Sequence, residues 1–365
     1  MDGQKAAGSL QVLSFAEGSL DPVADEEGAF NRKALLDSGT SMMTSRDLCV
    51  LFSSAGRRVE LIRCFRAAAE RLDLTLNVLA CDKRPELSAA CHAADRSFAV
   101  PACDHHGFID EVHGICQVEN VDLVIPTIDP ELSPYAVHME RFAETGTRIH
   151  VSAPEVIDIA RDKLRTIEVL KQASVPVPRT QAIEIVRRQS AAWKWPVFVK
   201  PRAGSASRSI YMAHEPSHLN GDYAEPMIVQ EYLLGPEYTI NMFIDQSGIM
   251  RSCIAHERLA VRAGEVEKGR TVRLPCLPAL ADGMMRALPE ARGVLCFQAI
   301  ADREGGLKVI ELNARFGGGY PLADRAGAKF AQWLLEEAAG LSSTANDDWR
   351  DGVLMLRYDA ALFEE

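Results

Sequence analysis

A doubly wound α/β domain followed by α+β segments is the fold class that this 365-residue sequence predicts. Three observations predict it. From residue 48 to about 152, short apolar runs alternate with amphipathic stretches, the pattern of strand–helix–strand units. The Pro-rich break Val175-Pro-Val-Pro178 then ends that regime. Beyond it come β-rich segments separated by small-residue loops, a closing helix after Pro321 and a last strand-like run, Gly352 to Tyr358.

Residues 1–47 mix Gly, Ser, Asp and Glu without periodicity and read as a poorly ordered extension. Cys49-Val-Leu-Phe52 is the first strand, Ser53-Ser-Ala-Gly-Arg-Arg58 a tight turn, and Val59 to Arg71 an amphipathic helix. Two further strands, Leu76 to Ala80 and Val121 to Ile125, run out into Cys81-Asp82 and Pro126-Thr-Ile-Asp129. Such a Rossmann-like domain, residues 48–152, gathers ligands at the carboxyl ends of its strands. Those ends carry Ser53 to Arg58, Asp82 and Thr127 to Glu131. The first turn lacks G-x-G-x-x-G, which disfavours a dinucleotide-dependent dehydrogenase. A helix opening at Ser152-Ala-Pro154 is expected to run through Asp162-Lys163 to about Ala173. It introduces a small lobe over residues 153–235, a large lobe over 236–341 and a terminal strand and tail over 342–365.

Composition narrows the function. The formal net charge of −11 argues against broad nucleic-acid or anionic-membrane binding, which needs a basic face. Apolar runs fall short of the ~20 residues of a membrane span, and the start shows no secretory pattern. Nine cysteines scattered without a CxxC pair fit reduced thiols in the cytoplasm. Cys103-Asp-His-His106 with His113 and Cys116 matches no standard zinc spacing and reads as loop-and-helix surface.

Four pieces from Lys163 onward make chemical sense together. Phe198-Val-Lys200 delivers a lysine to a loop, Gly204-Ser205 to Ser209, whose small side chains let backbone N–H groups approach phosphate oxygens. In Met227-Ile-Val-Gln230-Glu231-Tyr-Leu233-Leu-Gly-Pro-Glu237 a strand runs out, turns at Gly235-Pro236 and resumes. Backbone groups there can meet an adenine edge and Glu237 can accept from ribose hydroxyls; a solvated hairpin is the rival reading. In Lys308-Val-Ile-Glu311-Leu-Asn313-Ala-Arg315-Phe-Gly-Gly-Gly319, period-two alternation puts Glu311, Asn313 and Arg315 on one face. Gln298 of the neighbouring strand can join them. These oxygens suit a hard cation that holds phosphates, and Arg315 can steady a transferring phosphoryl group. The fourth piece is Lys163, on a helix before the Pro-rich break.

In this order and spacing the pieces resemble the ATP-grasp superfamily, from about Leu48 to Leu341. The nearest resemblance is to stand-alone proteins related to the carbamoyl phosphate synthetase large subunit and to the pyrrolysine-pathway ligase. It implies a Rossmann-like domain before a two-lobed ATP-grasp fold, with ATP and Mg²⁺, or Mn²⁺ in its place, as cofactors. It further implies that Lys163 and Lys200 contact the phosphates, that Gly204 and Ser205 belong to the loop closing over them, and that Gln230, Glu231 and Leu233 line adenine. Glu237 would take the ribose, Gln298, Glu311 and Asn313 the metal, and Arg315 with Lys200 the chemical step. Ala314 stands where many relatives have Pro, and Gln298 is neutral where other branches place an acid.

The function this implies is ligation: a carboxylate activated as an acyl phosphate, then joined to an amine with release of ADP and phosphate. The partners are small molecules, with a homodimer left open. A nucleotide-binding protein without ligase activity and a bicarbonate-activating carboxylase-like enzyme stay as alternatives. For substrate contacts the candidates are Arg258 and Arg262, whose rival reading is an exposed charged hairpin, together with Ser53 to Arg58, Asp129 to Glu131, Tyr320 and Arg325.

Overall fold

The computed structural model describes residues 47–204, 209–303 and 305–363, so the expected extension up to residue 46 and Ser205 lie outside the described residues. β1 (Asp47–Ser53) is buried along its whole length after the first residue, because helices cover both faces of its sheet. α1 (Val59–Arg71) lays Leu61, Ile62, Phe65 and Ala68 on that sheet, with Phe65 edge-on to Phe52 at 5.1 Å. β2 (Thr75–Asp82), α2 (Ala89–Ala93), β3 (Arg96–Ala99), α3 (Phe108–Glu119), β4 (Leu123–Pro126), α4 (Asp129–Val137), α5 (Met139–Ala143) and β5 (Arg148–Ile149) complete the domain. The five parallel strands run in the order β3-β2-β1-β4-β5. The order reverses between β1 and β4, which opens a crevice at their carboxyl ends. His113 and Cys116, two of the zinc candidates, are buried in the core, His113 with its ring 4.9 Å from that of Phe142.

The single helix expected from Pro154 to Ala173 is two. α6 (Pro154–Arg161) ends at Asp162, whose extended backbone turns the chain before α7 (Lys163–Gln172). The Asp162 carboxylate caps the new helix by accepting from the N–H groups of Leu164 and Arg165 at 3.0 and 3.2 Å. The break puts Lys163 at the head of a helix rather than along its side.

β6 (Thr180–Ala182), α8 (Ile183–Arg188), β7 (Val197–Pro201), β8 (Tyr211–Ala213) and β9 (Met227–Glu231) form a four-stranded antiparallel sheet with its own small core around Val186, Val197 and Val229. The chain then crosses to another sheet, so the segment after β9 is not a hairpin. Gly235 makes the crossing by donating its N–H to the Ala301 carbonyl at 3.0 Å. A Cβ there would stand 2.2 Å from that oxygen, so only glycine fits.

β10 (Glu237–Ile244), β11 (Met250–Arg262), β12 (Glu265–Thr271), α9 (Leu277–Ala287), β13 (Gly293–Ala301), β14 (Leu307–Asn313), α10 (Tyr320–Ala326), α11 (Phe330–Ala339) and β15 (Leu354–Leu356) build the rest. Six antiparallel strands lie in the order β14-β13-β10-β11-β12-β15. Their core is continuous with that of the first sheet, and Phe316 links them, 6.0 Å from Phe65 and 4.7 Å from Tyr320. Among the described residues no helix is long and apolar enough to cross a membrane.

Candidate active site

All three sheets contribute walls to one cleft of about 770 Å³. On the four-stranded side stand Lys163 and Lys200, both buried. Lys163 donates through Nζ to the Gly204 carbonyl at 2.7 Å and through its N–H to Arg202 O at 3.0 Å. Arg202 in turn clasps Asp162, with Nε 2.9 Å from both carboxylate oxygens, so the helix cap and the lysine are fixed together. Lys200, near the end of β7, reaches across to the Ile310 carbonyl of β14 at 3.1 Å. Burial pushes its ammonium down to about 8, with Lys163 adding repulsion and Glu311 opposing both. An anion between the two lysines would relieve that cost.

Gln230, Glu231, Leu233 and Glu237 line the same cleft. Gln230 Nε2 donates to Thr180 Oγ1 at 3.0 Å. Glu231 is held from both sides, with its carboxylate 3.1 Å from Lys308 Nζ and its N–H on Arg179 O at 2.8 Å. Glu237 pairs with Arg258 Nε at 3.0 Å; burial raises the Glu237 carboxyl above its ordinary value and Arg258 pulls it back. Opposite them Gln298 of β13 sits in register with Glu311 of β14, beside a bulge that re-aims the local side chains. Asn313 lies two residues on, and its Oδ1 accepts from Arg315 at 3.2 Å. Gln298, Glu311, Asn313 and Arg315 thus share one wall. Hard oxygens from one carboxylate and two amides fit a Mg²⁺ ion that keeps phosphate and water ligands. No cluster of three or more His, Cys, Asp or Glu among the described residues offers a second metal site. The glycines that follow are packing residues: Cβ atoms on Gly317, Gly318 and Gly319 would fall within 2.7 Å of Cys296, Glu265 and His256.

Comparison with known proteins places this arrangement. Residues 50–150 match the family described as PylC-like, N-terminal domain, and residues 160–319 match the ATP-grasp domain. The chain carries a PylC-like N-terminal domain followed by an ATP-grasp domain. It is 24% identical over 228 residues to the carbamoyl phosphate synthase large chain of Clostridium acetobutylicum, covering 57% of the chain but only 21% of that relative. This ATP-grasp protein therefore spans about a fifth of the length of the curated relative that it matches. Among solved structures it resembles the biotin carboxylase domain of Hydrogenobacter thermophilus 2-oxoglutarate carboxylase, in complex with MgADP, ADP and bicarbonate. That likeness has a TM-score of 0.67 at 18% identity, over 84% of this chain and 73% of that one. N5-carboxyaminoimidazole ribonucleotide synthetase of Thermotoga maritima is similar too, with a TM-score of 0.62 at 15% identity, over 82% and 78% of the two chains. At these identities the likeness establishes the fold.

The PylC-like domain adds groups whose partners sequence reading did not supply. Asp129 Oδ2 accepts from Arg315 Nη2 at 2.7 Å, joining the crevice of the first sheet to the wall that carries Glu311. Arg57 and Arg58, also on the cleft, come from the turn after β1. Glu131 does not face the ATP-grasp cleft as expected. It is fully buried, accepting from Ser53 and Ser54 hydroxyls at 2.6 and 2.7 Å and from Thr127 N–H at 2.6 Å. Ser53 is spent on this same network. Tyr320 is core, accepting from Ala331 N–H at 2.8 Å, and Arg325 is exposed away from the cleft. Of the two candidate arginines on β11, Arg258 lines the cleft, whereas Arg262 pairs outside it with Asp359 at 2.6 Å. A polar residue two positions from a strand end was visible in the sequence; which of its faces is wet was not.

Proposed function

We propose that this ATP-grasp protein is an ADP-forming ligase that activates a small carboxylic acid as an acyl phosphate and joins it to an amine. The observation that carries the reading is the convergence of Lys163, Lys200, Gln298, Glu311, Asn313 and Arg315 on one cleft from separate sheets. Lys163 and Lys200 would hold the phosphates of ATP, whose binding would relieve the burial of Lys200. Gln298, Glu311 and Asn313 would hold Mg²⁺, which when bound neutralises phosphate charge. Gln230 and Leu233 would meet adenine and Glu237 the ribose, its charge kept by Arg258.

In the first step a carboxylate oxygen attacks the γ-phosphorus and ADP leaves. In the second, the neutral amine nitrogen attacks the acyl carbon, the bond to the phosphate oxygen breaks, and the departing phosphate takes up the proton that the nitrogen loses. Arg315, held by Asp129 and retaining an unpartnered Nε–H among the described residues, would steady the negative charge in both. Positioning and electrostatics do this work without a protein nucleophile.

The test is Mg²⁺-dependent release of ADP and phosphate, screened over pools of acids and amines. Glu311→Ala should abolish turnover while leaving the circular dichroism spectrum intact; a folded variant with unchanged activity sinks the metal assignment. Turnover stimulated by bicarbonate instead of an organic acid would move the protein to the carboxylase-like reading.

A further inference from the structure

On the same cleft as the two lysines, Arg58 leaves the turn after β1 with its side chain only 18% exposed. Its closest polar contacts are long ones. Nη2 lies 3.4 Å from the Thr127 carbonyl and Nη1 3.4 Å from Glu265 Oε1, both beyond the usual range for a charged hydrogen bond. Neither nearby carboxylate is free to do better. Glu265 already accepts from Arg357 at 2.9 Å, and Asp129 from Arg315 at 2.7 Å. Burial, then the charges of Arg315 and Arg357, work against the Arg58 cation, and Arg57 stands next to it on the same cleft. Four guanidiniums thus gather around two carboxylates. A buried guanidinium with unsaturated donors in a ligand-sized cleft is a seat for an anion.

We propose that Arg58, with Arg57 beside it, binds a carboxylate that does not react, so that one of the two joined molecules carries that group into the product. The inference rests on the ligase reading and narrows its substrates. Over these four guanidiniums and two carboxylates the positive excess is two; the reacting centre at Arg315 takes one, and the other matches a monoanion. Bicarbonate and ammonia have no such group, so the assignment excludes them as the substrate pair. The carboxylate belongs either to the acid, as in a dicarboxylate, or to the amine, as in an α-amino acid.

The experiment is isothermal titration of the full chain loaded with MgADP. The probes are succinate, glutarate and the standard α-amino acids, each beside its carboxamide counterpart. At least one acid should bind, and its carboxamide should bind about tenfold more weakly or worse. In Arg58→Gln that difference should vanish, and Arg58→Lys should restore part of it. Preference among dicarboxylates or among α-amino acids tells which substrate carries the group. The inference is overturned if MgADP binds and none of the probes does, or if carboxamides bind as tightly as acids. It is equally overturned if Arg58→Gln weakens both forms alike, the mark of a strut between the turn and β12. Failure of MgADP itself to bind would sink the ligase reading, and this inference with it.

Discussion

On the proposed reading, in which Lys200 holds nucleotide phosphates, binding of the nucleotide is a proton-coupled event. Burial takes its ammonium from 10.5 to about 8, a gap worth about 3 kcal/mol against the charged form. Below pH 8 the folded and unfolded chains both hold the proton, and the folded one bears that cost in full. Between about 8 and 10.5 the unfolded chain keeps a proton that the folded one has released, so stability rises with pH across this window. Phosphates seated beside Nζ reverse the effect of burial. At pH 8 binding of MgATP should then draw in about half a proton, and at pH 7 only about a tenth. Calorimetric titration in buffers of different ionisation enthalpy reads this number directly. Lys200→Met should abolish the uptake and weaken the nucleotide, yet stabilise the nucleotide-free protein at pH 7 by up to about 3 kcal/mol. Heats that are the same in every buffer at pH 8, or an uptake that survives Lys200→Met, would refute the reasoning.

Three other outcomes follow from the geometry. Asp129→Ala leaves the buried Arg315 guanidinium without its 2.7 Å partner and should cost about 3–5 kcal/mol in urea unfolding, with Asp129→Asn costing less. Gly235→Ala drives a methyl group against Ala301 O, which lies 2.2 Å from its ideal position; unfolding should show a loss of about 1–3 kcal/mol or more. Asp162→Ala removes both the α7 cap and the Arg202 clasp. It should cost about 1 kcal/mol of stability and raise the KM for ATP more than it lowers kcat, since Lys163 is loosened rather than lost.

The parts legible in the sequence are those carried by local periodicity. The apolar run of β1 and the alternation along β14 each encode their own burial within a few residues, so Glu311 and Asn313 could be assigned to one wall. The Asp162 break was also encoded, since Asp ahead of a helical stretch is a strong cap, but a continuous amphipathic pattern concealed it. What could not be read depends on chain distance. Asp129 and Arg315 are 186 residues apart, and Ser53 and Glu131 are 78. Nothing local tells Glu131, swallowed whole, from Asp129, which faces the cleft. Tyr320 misled for a related reason: it follows the glycine run in sequence, but the helix it opens turns its ring into the core.

The anion seat is closed by a strand from far along the chain. Arg357, just past β15, holds the Glu265 carboxylate at 2.9 Å and donates to the Gly318 carbonyl. Arg58, which shares Glu265, is made three hundred residues earlier. A nascent chain can therefore complete its Rossmann-like domain, with β5 ending at Ile149, well before Arg357 is made. Until residue 357 clears the ribosome, Glu265 is left to Arg58 alone, and the turn's one underused cation is quenched by its neighbour.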